Sequence, residues 1–269
     1  MCIIALIWLS AIAFASAYDL DISLAVADEQ SVFGRVLEVA GEPPAILFAS
    51  FNLALMTAHF LKKQPRKGKD LILAALTLVG CVGTAVFTFN GIANYLVDYG
   101  IIRESVPLTA LTAMLSLFTA AIFIAITTKM SRDAVERYFS AACHCVLAAA
   151  ATLVIIWAFK LTWGRVRFRQ LEGDLSRFTP WYLPQGFTGF FSFPSGHTAN
   201  ATVIFSVTYY LHFLPERYEK YKPLITALLA VWIILVALSR VLVGAHYLSD
   251  VLFGMAITLA IVYFAKPKE

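Results

Sequence analysis

The stretch Ser239–Asp250, SRVLVGAHYLSD, lies between two apolar runs near the C-terminus and decides how the chain must fold. It places Arg240, His246 and Asp250 inside or beside hydrocarbon, where an ionisable side chain is costly and needs a partner or a function. His246 and Asp250 are four residues apart, so on a helix they share one face, and the carboxylate can hold the far nitrogen of the imidazole. This pattern is typical of a histidine that acts as a nucleophile or a base.

A second stretch is needed, because a His–Asp pair at this spacing is more often a structural hydrogen bond than a catalytic pair. Phe193–His197, FPSGH, supplies it. Its Pro-Ser-Gly turn leads into another apolar run, and the backbone N–H groups of Ser195 and Gly196 at a helix start form an anion site. His197 stands directly beside this turn.

The composition indicates an integral membrane protein. The chain is 60% hydrophobic and 14% charged, with a mean hydropathy of +0.76, whereas a soluble domain carries about 25% charged residues. The formal net charge of +4 lies in the loops and does not point to nucleic acid. The four cysteines lie in apolar segments without metal-type spacing, which favours buried thiols over a metal site.

Eight apolar runs predict an all-α integral membrane protein, a polytopic helix bundle. A membrane-spanning helix needs about 17 to 25 residues, which suits these runs. The first run lacks the basic start of a signal peptide, so we expect it to be a retained span. The runs are approximately Met1–Ala17, Ala45–Leu61, Leu71–Val97, Pro107–Thr128, Phe139–Phe159, His197–Leu214, Pro223–Ser239 and Leu248–Ala265.

An acidic segment, Tyr18–Glu42, separates the first two runs. It carries six acidic residues against one basic residue, Arg35. That charge is too high for a span, so we expect a short amphipathic piece on the membrane surface.

The distribution of Lys and Arg predicts the orientation. With Met1 inside, the cytoplasmic segments hold five, three, three and two basic residues, which is 13 of the 21 in the chain. Six of the other eight basic residues lie next to Phe193–His197 or within Ser239–Asp250. His197 and His246 then emerge together on the extracytoplasmic face, whereas His59, His144 and His212 fall near inner ends of spans.

A third component is the pair Lys160 and Arg167, at the outer end of the fifth run. A spacing of seven residues is two helical turns, so both cations can face one pocket. Cations at the end of a span often only reach for lipid headgroups. That explanation is adequate for three neighbours, Arg165, Arg169 and Arg177. It is weak for Lys160, Arg167 and Arg240 together, because they lie on the same face as both histidines.

The three cations, the Ser-Gly turn and the two histidines describe a site for an anion handled without a metal or another cofactor. Metal-assisted phosphoryl transfer would need several carboxylates, and the outer region offers essentially Asp250 alone. Cations instead neutralise the equatorial oxygens of a phosphoryl group in flight. One histidine would attack phosphorus and the other would protonate the leaving alcohol.

The motifs resemble those of the type-2 phosphatidic acid phosphatase family, the lipid phosphate phosphatases whose active site is shared with vanadium haloperoxidases. The family pattern is Lys-x6-Arg-Pro, Pro-Ser-Gly-His and Ser-Arg-x5-His-x3-Asp. Here it reads Lys160 to Arg167, Pro194 to His197 and Ser239 to Asp250, in the same order and with the same internal spacings. Phe168 replaces the family proline, a change that concerns the local backbone more than the chemistry.

The resemblance implies a role for each motif residue. His246 would be the nucleophile that forms a phosphohistidine, Asp250 its orienting partner and His197 the general acid. The phosphate would be bound by Lys160, Arg167, Arg240, Ser195 and the backbone of Gly196. The resemblance also implies a six-helix core, so that residues 71–269 would form the phosphatase core and residues 1–70 would add two N-terminal spans and the acidic segment.

We therefore expect a phosphatase of the cell membrane that hydrolyses lipid phosphate monoesters or diphosphates at the extracytoplasmic face, with the bilayer and the lipid substrate as its partners. By the resemblance, candidate substrates are undecaprenyl diphosphate, phosphatidylglycerophosphate and phosphatidic acid. A phosphotransferase that passes the group to another lipid would use the same residues. A transporter is disfavoured, because its charges would lie near the bilayer midplane rather than at span ends.

The loop from Trp163 to Phe193 is rich in aromatic residues and has two interpretations. It is either an interfacial aromatic belt or a lid that admits a lipid tail while the phosphate reaches the cations. Both interpretations place it at headgroup depth.

Overall fold

A computed structural model describes residues 2–267, so Met1, at the start of the first predicted run, and Lys268 and Glu269 lie outside the described residues. Within residues 2–267 the chain is predominantly α-helical and has no β-strand, which confirms the predicted all-α fold. The described α-helices are α1 (Cys2–Val26), α2 (Val32–Ala40), α3 (Pro43–Lys62), α4 (Gly68–Asp98), α5 (Val106–Lys129), α6 (Arg132–Trp163), α7 (Gly196–Val203), α8 (Lys222–Leu242) and α9 (Leu248–Phe264).

The chain is a membrane protein by the length and apolarity of its helices. Six helical segments of the described part are long and apolar enough to cross a bilayer, and α9 is a shorter apolar helix. Within residues 2–267 each predicted run is helical over most of its length. In the sixth run the α-helix is brief, and the chain continues from Ile204 to Phe213 as a 3-10 helix. In the first run α1 continues beyond the predicted end at Ala17 to Val26, so it includes the first acidic residues of Tyr18–Glu42.

Ordinary capping chemistry sets the starts of several helices. The hydroxyls of Ser31 and Ser105 accept hydrogen bonds from backbone N–H groups at the starts of α2 and α5. Pro43 opens α3 at a position where the missing N–H is not needed. Asp70 in the first turn of α4 accepts the backbone N–H of Lys67 at 2.9 Å.

Gly164 ends α6. Its φ is +62°, the left-handed conformation that glycine adopts without strain at a helix C-terminus. A Cβ at this position would lie 2.2 Å from the carbonyl oxygen of Gly186 and 2.7 Å from Oγ1 of Thr188. The left-handed conformation of Gly164 turns the chain out of the helix and into the long aromatic loop. The close contacts leave no room for a side chain at this turn, so only glycine fits it.

Two compact units are distinguished by the contacts within the chain. The first comprises Met1–Gly41, Ala150–Val203 and Ala227–Ile261, and the second comprises Glu42–Ala149, Ile204–Thr226 and Val262–Glu269. All the predicted site residues belong to the first unit. The division predicted at residue 70 stays a prediction.

The second unit packs α3, α4 and α5 through small and hydroxylated residues. Ala54, Cys81 and Ala120 are buried against one another. The hydroxyl of Ser50 donates to the carbonyl of Cys81 at 2.8 Å. Small residues let helix backbones approach closely, and hydroxyl hydrogen bonds join helices in hydrocarbon.

The first unit brings together segments that are far apart in sequence. Ala237, Val241 and Val251 form a buried cluster from α8 and α9, and Ile22 of α1 packs against it. Gly254 of α9 lies directly under the FPSGH turn, where an added Cβ would be 2.5 Å from the carbonyl oxygen of Ser195. The backbone of α9 therefore lies in close contact with the FPSGH turn.

Candidate functional site

His246 lies in the connection between α8 and α9, and Asp250 lies in the first turn of α9. Both side chains are buried, and Nδ1 of His246 is 3.6 Å from Oδ2 of Asp250. That distance is an electrostatic contact, too long for an ordinary hydrogen bond. The two residues meet as predicted, but the expectation that one helix carries both is wrong, since α9 begins only at Leu248.

Asp250 is held by groups on both of its carboxylate oxygens. Oδ2 accepts a hydrogen bond from the hydroxyl of Ser192 at 2.5 Å and another from the backbone N–H of Tyr247 at 3.0 Å. Oδ1 accepts a hydrogen bond from Nη1 of Arg165 at 2.6 Å. The contact with Tyr247 is that of an acidic residue bonding back to the N-terminus of its own helix. The carboxylate is thus fixed in one orientation beside His246.

Arg165 is a buried member of the site, so the interpretation that it reaches for headgroups is wrong. Its side chain is 1% exposed. The guanidinium bridges two carboxylates, with Nη1 donating to Asp250 and Nη2 donating to Asp19 at 2.9 Å. It also lies 4.0 Å from the centroid of the Tyr247 ring.

Asp19 of α1 is 3% exposed, so this residue of Tyr18–Glu42 is buried within the fold, whereas the surface position expected for the segment as a whole stays a prediction. Its Oδ1 accepts the backbone N–H of Ser249 at 2.9 Å, and its Oδ2 accepts the Ser249 hydroxyl. The sequence held a signal for this role, because an aspartate that continues an apolar helix needs a partner in hydrocarbon.

Glu38 of α2 is the second buried carboxylate from the same segment. It is 3% exposed, and its Oε1 lies 2.7 Å from Nη2 of Arg240 and 3.5 Å from Nη1 of Arg169. The expectation that Asp250 is essentially the only carboxylate of this region is therefore wrong. Arg169 also has a specific partner and is not explained by headgroup contact alone.

Lys160 lies in the last turn of α6, whereas Arg167 lies beyond Gly164 in extended backbone, with φ −73° and ψ 152°. The argument from two helical turns is therefore wrong. Both cations nevertheless act electrostatically on His246 and on His197. Nζ of Lys160 donates to the carbonyl of Phe191 at 2.6 Å. The loop after α6, and not the helix, brings the second cation to the histidines.

The FPSGH turn caps α7. Oγ of Ser195 accepts the backbone N–H of Thr198 at 3.3 Å, and the backbone N–H of Ser195 donates to the carbonyl of Asp250 at 2.9 Å. The N–H of Ser195 is thus not open to an anion, contrary to expectation. An added Cβ at Gly196 would lie 3.2 Å from Cε of Lys160, which places this turn against the lysine.

Electrostatic coupling links His197 with the rest of the motifs. His197 interacts with Arg240, His246, Lys160 and Arg167. The structure therefore brings together, in one place, side chains that the sequence holds in three separate motifs.

Arg240 is fully buried, and its Nε and Nη1 have no hydrogen-bond partner among residues 2–267. Nη2 makes the short ionic contact with Glu38. The carbonyl oxygen of Arg240 accepts the backbone N–H of His246 at 3.2 Å, which ties the arginine to the histidine. Buried guanidinium N–H groups without acceptors are costly, and an anion would satisfy them.

The imidazole of His246, in the connection between α8 and α9, is neutral at neutral pH. Burial lowers its pKa from 6.5 to about 3, Lys160 and Arg167 act in the same direction, and Asp250 opposes them. Because Nδ1 faces the carboxylate, the neutral ring carries its proton on Nδ1 and leaves a lone pair on Nε2. A neutral imidazole of this kind can attack an electrophile.

Part of the aromatic loop packs inward. Phe193 stacks on Trp163 at 4.7 Å between ring centroids, and Trp181 lies 4.4 Å from Phe253 of α9. Phe187, in contrast, is 83% exposed. The belt and the lid interpretations of this loop both stay predictions.

Residues 141–267 match the PAP2 superfamily. Over 104 residues the chain is 34% identical to phosphatidylglycerophosphatase B of Bacillus subtilis (strain 168), an alignment that covers 38% of this chain and 51% of that protein. The chain thus spans about half the length of this relative. No solved structure matches the chain. All the motif residues lie in the matched range, whereas Asp19 and Glu38 lie outside it.

Proposed function

Because residues 141–267 belong to the PAP2 superfamily, the type-2 phosphatidic acid phosphatases, we propose that the chain is a membrane-embedded lipid phosphatase that works without a metal through a phosphohistidine on His246. The observation that carries the proposal is the buried guanidinium of Arg240. Its Nε and Nη1 lack hydrogen-bond partners among the described residues, and its carbonyl holds the backbone of His246. A phosphoryl group would satisfy those donors beside the nucleophile.

In the first step, Nε2 of His246 attacks phosphorus while the bond from phosphorus to the leaving oxygen breaks. His197 gives its proton to that oxygen, so it must enter the step protonated, a state that a bound anionic phosphate favours. Positive charge develops on the His246 ring, and Asp250 stabilises it across the 3.6 Å contact. Lys160 and Arg240 neutralise the phosphoryl oxygens.

In the second step, water attacks the phosphohistidine and the P–N bond breaks. His197, now neutral, takes a proton from the water. The products are inorganic phosphate and the neutral imidazole of His246. An alcohol in place of water would give the phosphotransferase reaction with the same residues.

The carboxylates near the histidines are paired with cations, which supports chemistry without a metal. Asp250 and Asp19 share Arg165, and Glu38 contacts Arg240 and Arg169, so each carboxylate already has a cation. A hard divalent cation would need several of these oxygens at once. In the described part of the chain, no group of three or more His, Cys, Asp or Glu side chains could hold a metal ion.

The substrate class is a lipid phosphate. The relative from Bacillus subtilis is named a phosphatidylglycerophosphatase, so phosphatidylglycerophosphate is the first substrate to test. Undecaprenyl diphosphate and phosphatidic acid follow from the motif resemblance. The extracytoplasmic face is supported by the distribution of basic residues, since 13 of 21 fall in segments assigned to the other side.

The test is phosphate release by purified protein in detergent, with EDTA present and a panel of the three lipids. We expect one lipid to be hydrolysed fastest, and we expect His246→Ala to abolish turnover. His212→Ala, which removes an exposed histidine, is the matched control and should behave as the wild type. Inhibition by EDTA that a divalent metal reverses would refute the metal-free mechanism. Phosphorylation of His246 without phosphate release would favour the phosphotransferase.

A further inference from the structure

Asp19 stands outside the three motifs and outside the matched range, yet it touches the residues that hold Asp250. It pairs with Arg165 at 2.9 Å, and Arg165 pairs with Asp250 at 2.6 Å. It also accepts both the backbone N–H and the hydroxyl of Ser249, the residue before Asp250. All of these side chains are buried.

The charge of Arg165 creates a requirement for a second carboxylate. Arg165 contacts Asp250 directly, so with no other partner it would cancel the negative charge that stabilises a positive His246 ring. Asp19 occupies the other end of the same guanidinium, at Nη2. The trio of one arginine and two aspartates keeps a net negative charge beside His246.

Asp19 also fixes the geometry of the first turn of α9. Its Oδ1 binds the Ser249 N–H at the start of this helix, and a carboxylate is favourable at a helix N-terminus. Ser249 precedes Asp250, so the same contact limits movement of Asp250 toward or away from His246.

We propose that Asp19 of the N-terminal helix α1 is a positioning residue of the active centre, which acts on His246 only through Arg165 and Asp250. This inference rests on the proposed phosphohistidine mechanism. It gives the segment before residue 141 a part in the chemistry. It also predicts that the effect of Asp19 on catalysis depends on the charge of Asp250.

The experiment is a double-mutant cycle on the full chain, with the lipid that the wild type hydrolyses fastest. The variants are Asp19→Asn, Asp250→Asn and the double variant, and Asp21→Asn, an exposed aspartate of the same helix, is the matched control. The readouts are kcat, KM, the amount of phosphohistidine in rapid-quench samples, the dissociation constant for vanadate and the temperature of unfolding.

We expect Asp19→Asn to lower kcat about tenfold, with KM and vanadate affinity within about twofold of wild type, because the anion-binding cations are untouched. In the Asp250→Asn background the same change should have almost no further effect on kcat. Asp21→Asn should match the wild type.

Two results would overturn the inference: equal kcat for Asp19→Asn and wild type, or a tenfold loss that persists in the Asp250→Asn background. If Asp19→Asn does not fold, Asp19→Glu replaces it in the cycle, and the inference requires a lowered kcat at wild-type vanadate affinity. Wild-type protein that turns over without phosphorylation of His246 would instead refute the proposed function, and this inference with it.

Discussion

The substitution Gly254→Ala adds one methyl group at the contact between α9 and the FPSGH turn. The new Cβ would lie 2.5 Å from the carbonyl oxygen of Ser195 and 3.4 Å from its carbonyl carbon. Both groups are backbone, so no flexible side chain can move aside. The turn, or α9, must shift.

The size of the shift follows from ordinary carbon–oxygen distances of about 3.3 Å, which require a displacement of about 0.8 Å. Ser195 caps α7 next to His197 and donates its N–H to Asp250, so the displacement reaches both residues. A misplacement of about 1 Å costs up to 100-fold in rate. We therefore expect kcat/KM to fall by about 10- to 100-fold, which is roughly 1.4 to 2.7 kcal/mol in the barrier.

The assay compares phosphate release and thermal unfolding of Gly254→Ala with those of Gly91→Ala. Gly91 also lies inside a helix, but an added Cβ there meets nothing within 4 Å. The control should keep wild-type kcat/KM and gain up to about 1 kcal/mol from helix propensity. Wild-type kcat/KM for Gly254→Ala would refute the argument that this contact positions the turn.

Two further predictions concern buried ionisable side chains. Arg165→Leu leaves Asp19 and Asp250 buried without their cation, so the free energy of unfolding should fall by about 3 to 5 kcal/mol. Thermal unfolding in detergent measures this, with the exposed Arg103→Leu as a control, and a loss no larger than the control's would contradict it. Burial lowers the pKa of His246 from 6.5 to about 3. At pH values between these two pKa values, His246 therefore binds more protons in the unfolded chain than in the folded protein. The free energy of unfolding should therefore fall as pH drops from 6.5, by up to about 1.4 kcal/mol per unit, and less in His246→Gln. Equal pH slopes for the two proteins would count against a buried neutral imidazole.

The sequence predicted the all-α membrane fold and the motif residues because both leave local signals. Apolar runs of span length are visible in one chain, and the spacing from His246 to Asp250 is short. The positions of single helix ends were less predictable. Gly164 ends α6 between Lys160 and Arg167, so spacing along an assumed helix gave the wrong reason for their proximity.

The buried carboxylates could not be found by spacing. Asp19 is 146 residues from Arg165 and 230 from Ser249, and such pairings depend on how helices pack. The charge of Tyr18–Glu42 favoured the membrane surface, but an acidic residue can lie within a helix when a buried cation meets it. The missed signal was an acid that continues an apolar helix, Asp19, together with a base at the end of another apolar helix, Arg165, which form an ion pair.

The most direct test of the central claim is to locate the covalent phosphate. In His197→Ala, attack by His246 on p-nitrophenyl phosphate needs no proton donor, because the leaving group is stable as an anion, while hydrolysis of the phosphohistidine is slowed. We predict that peptide mapping of rapidly quenched His197→Ala finds phosphate on His246, and that His197→Ala/His246→Ala has none. Phosphate on another residue, or no covalent phosphate in His197→Ala while the wild type turns over, would contradict the mechanism.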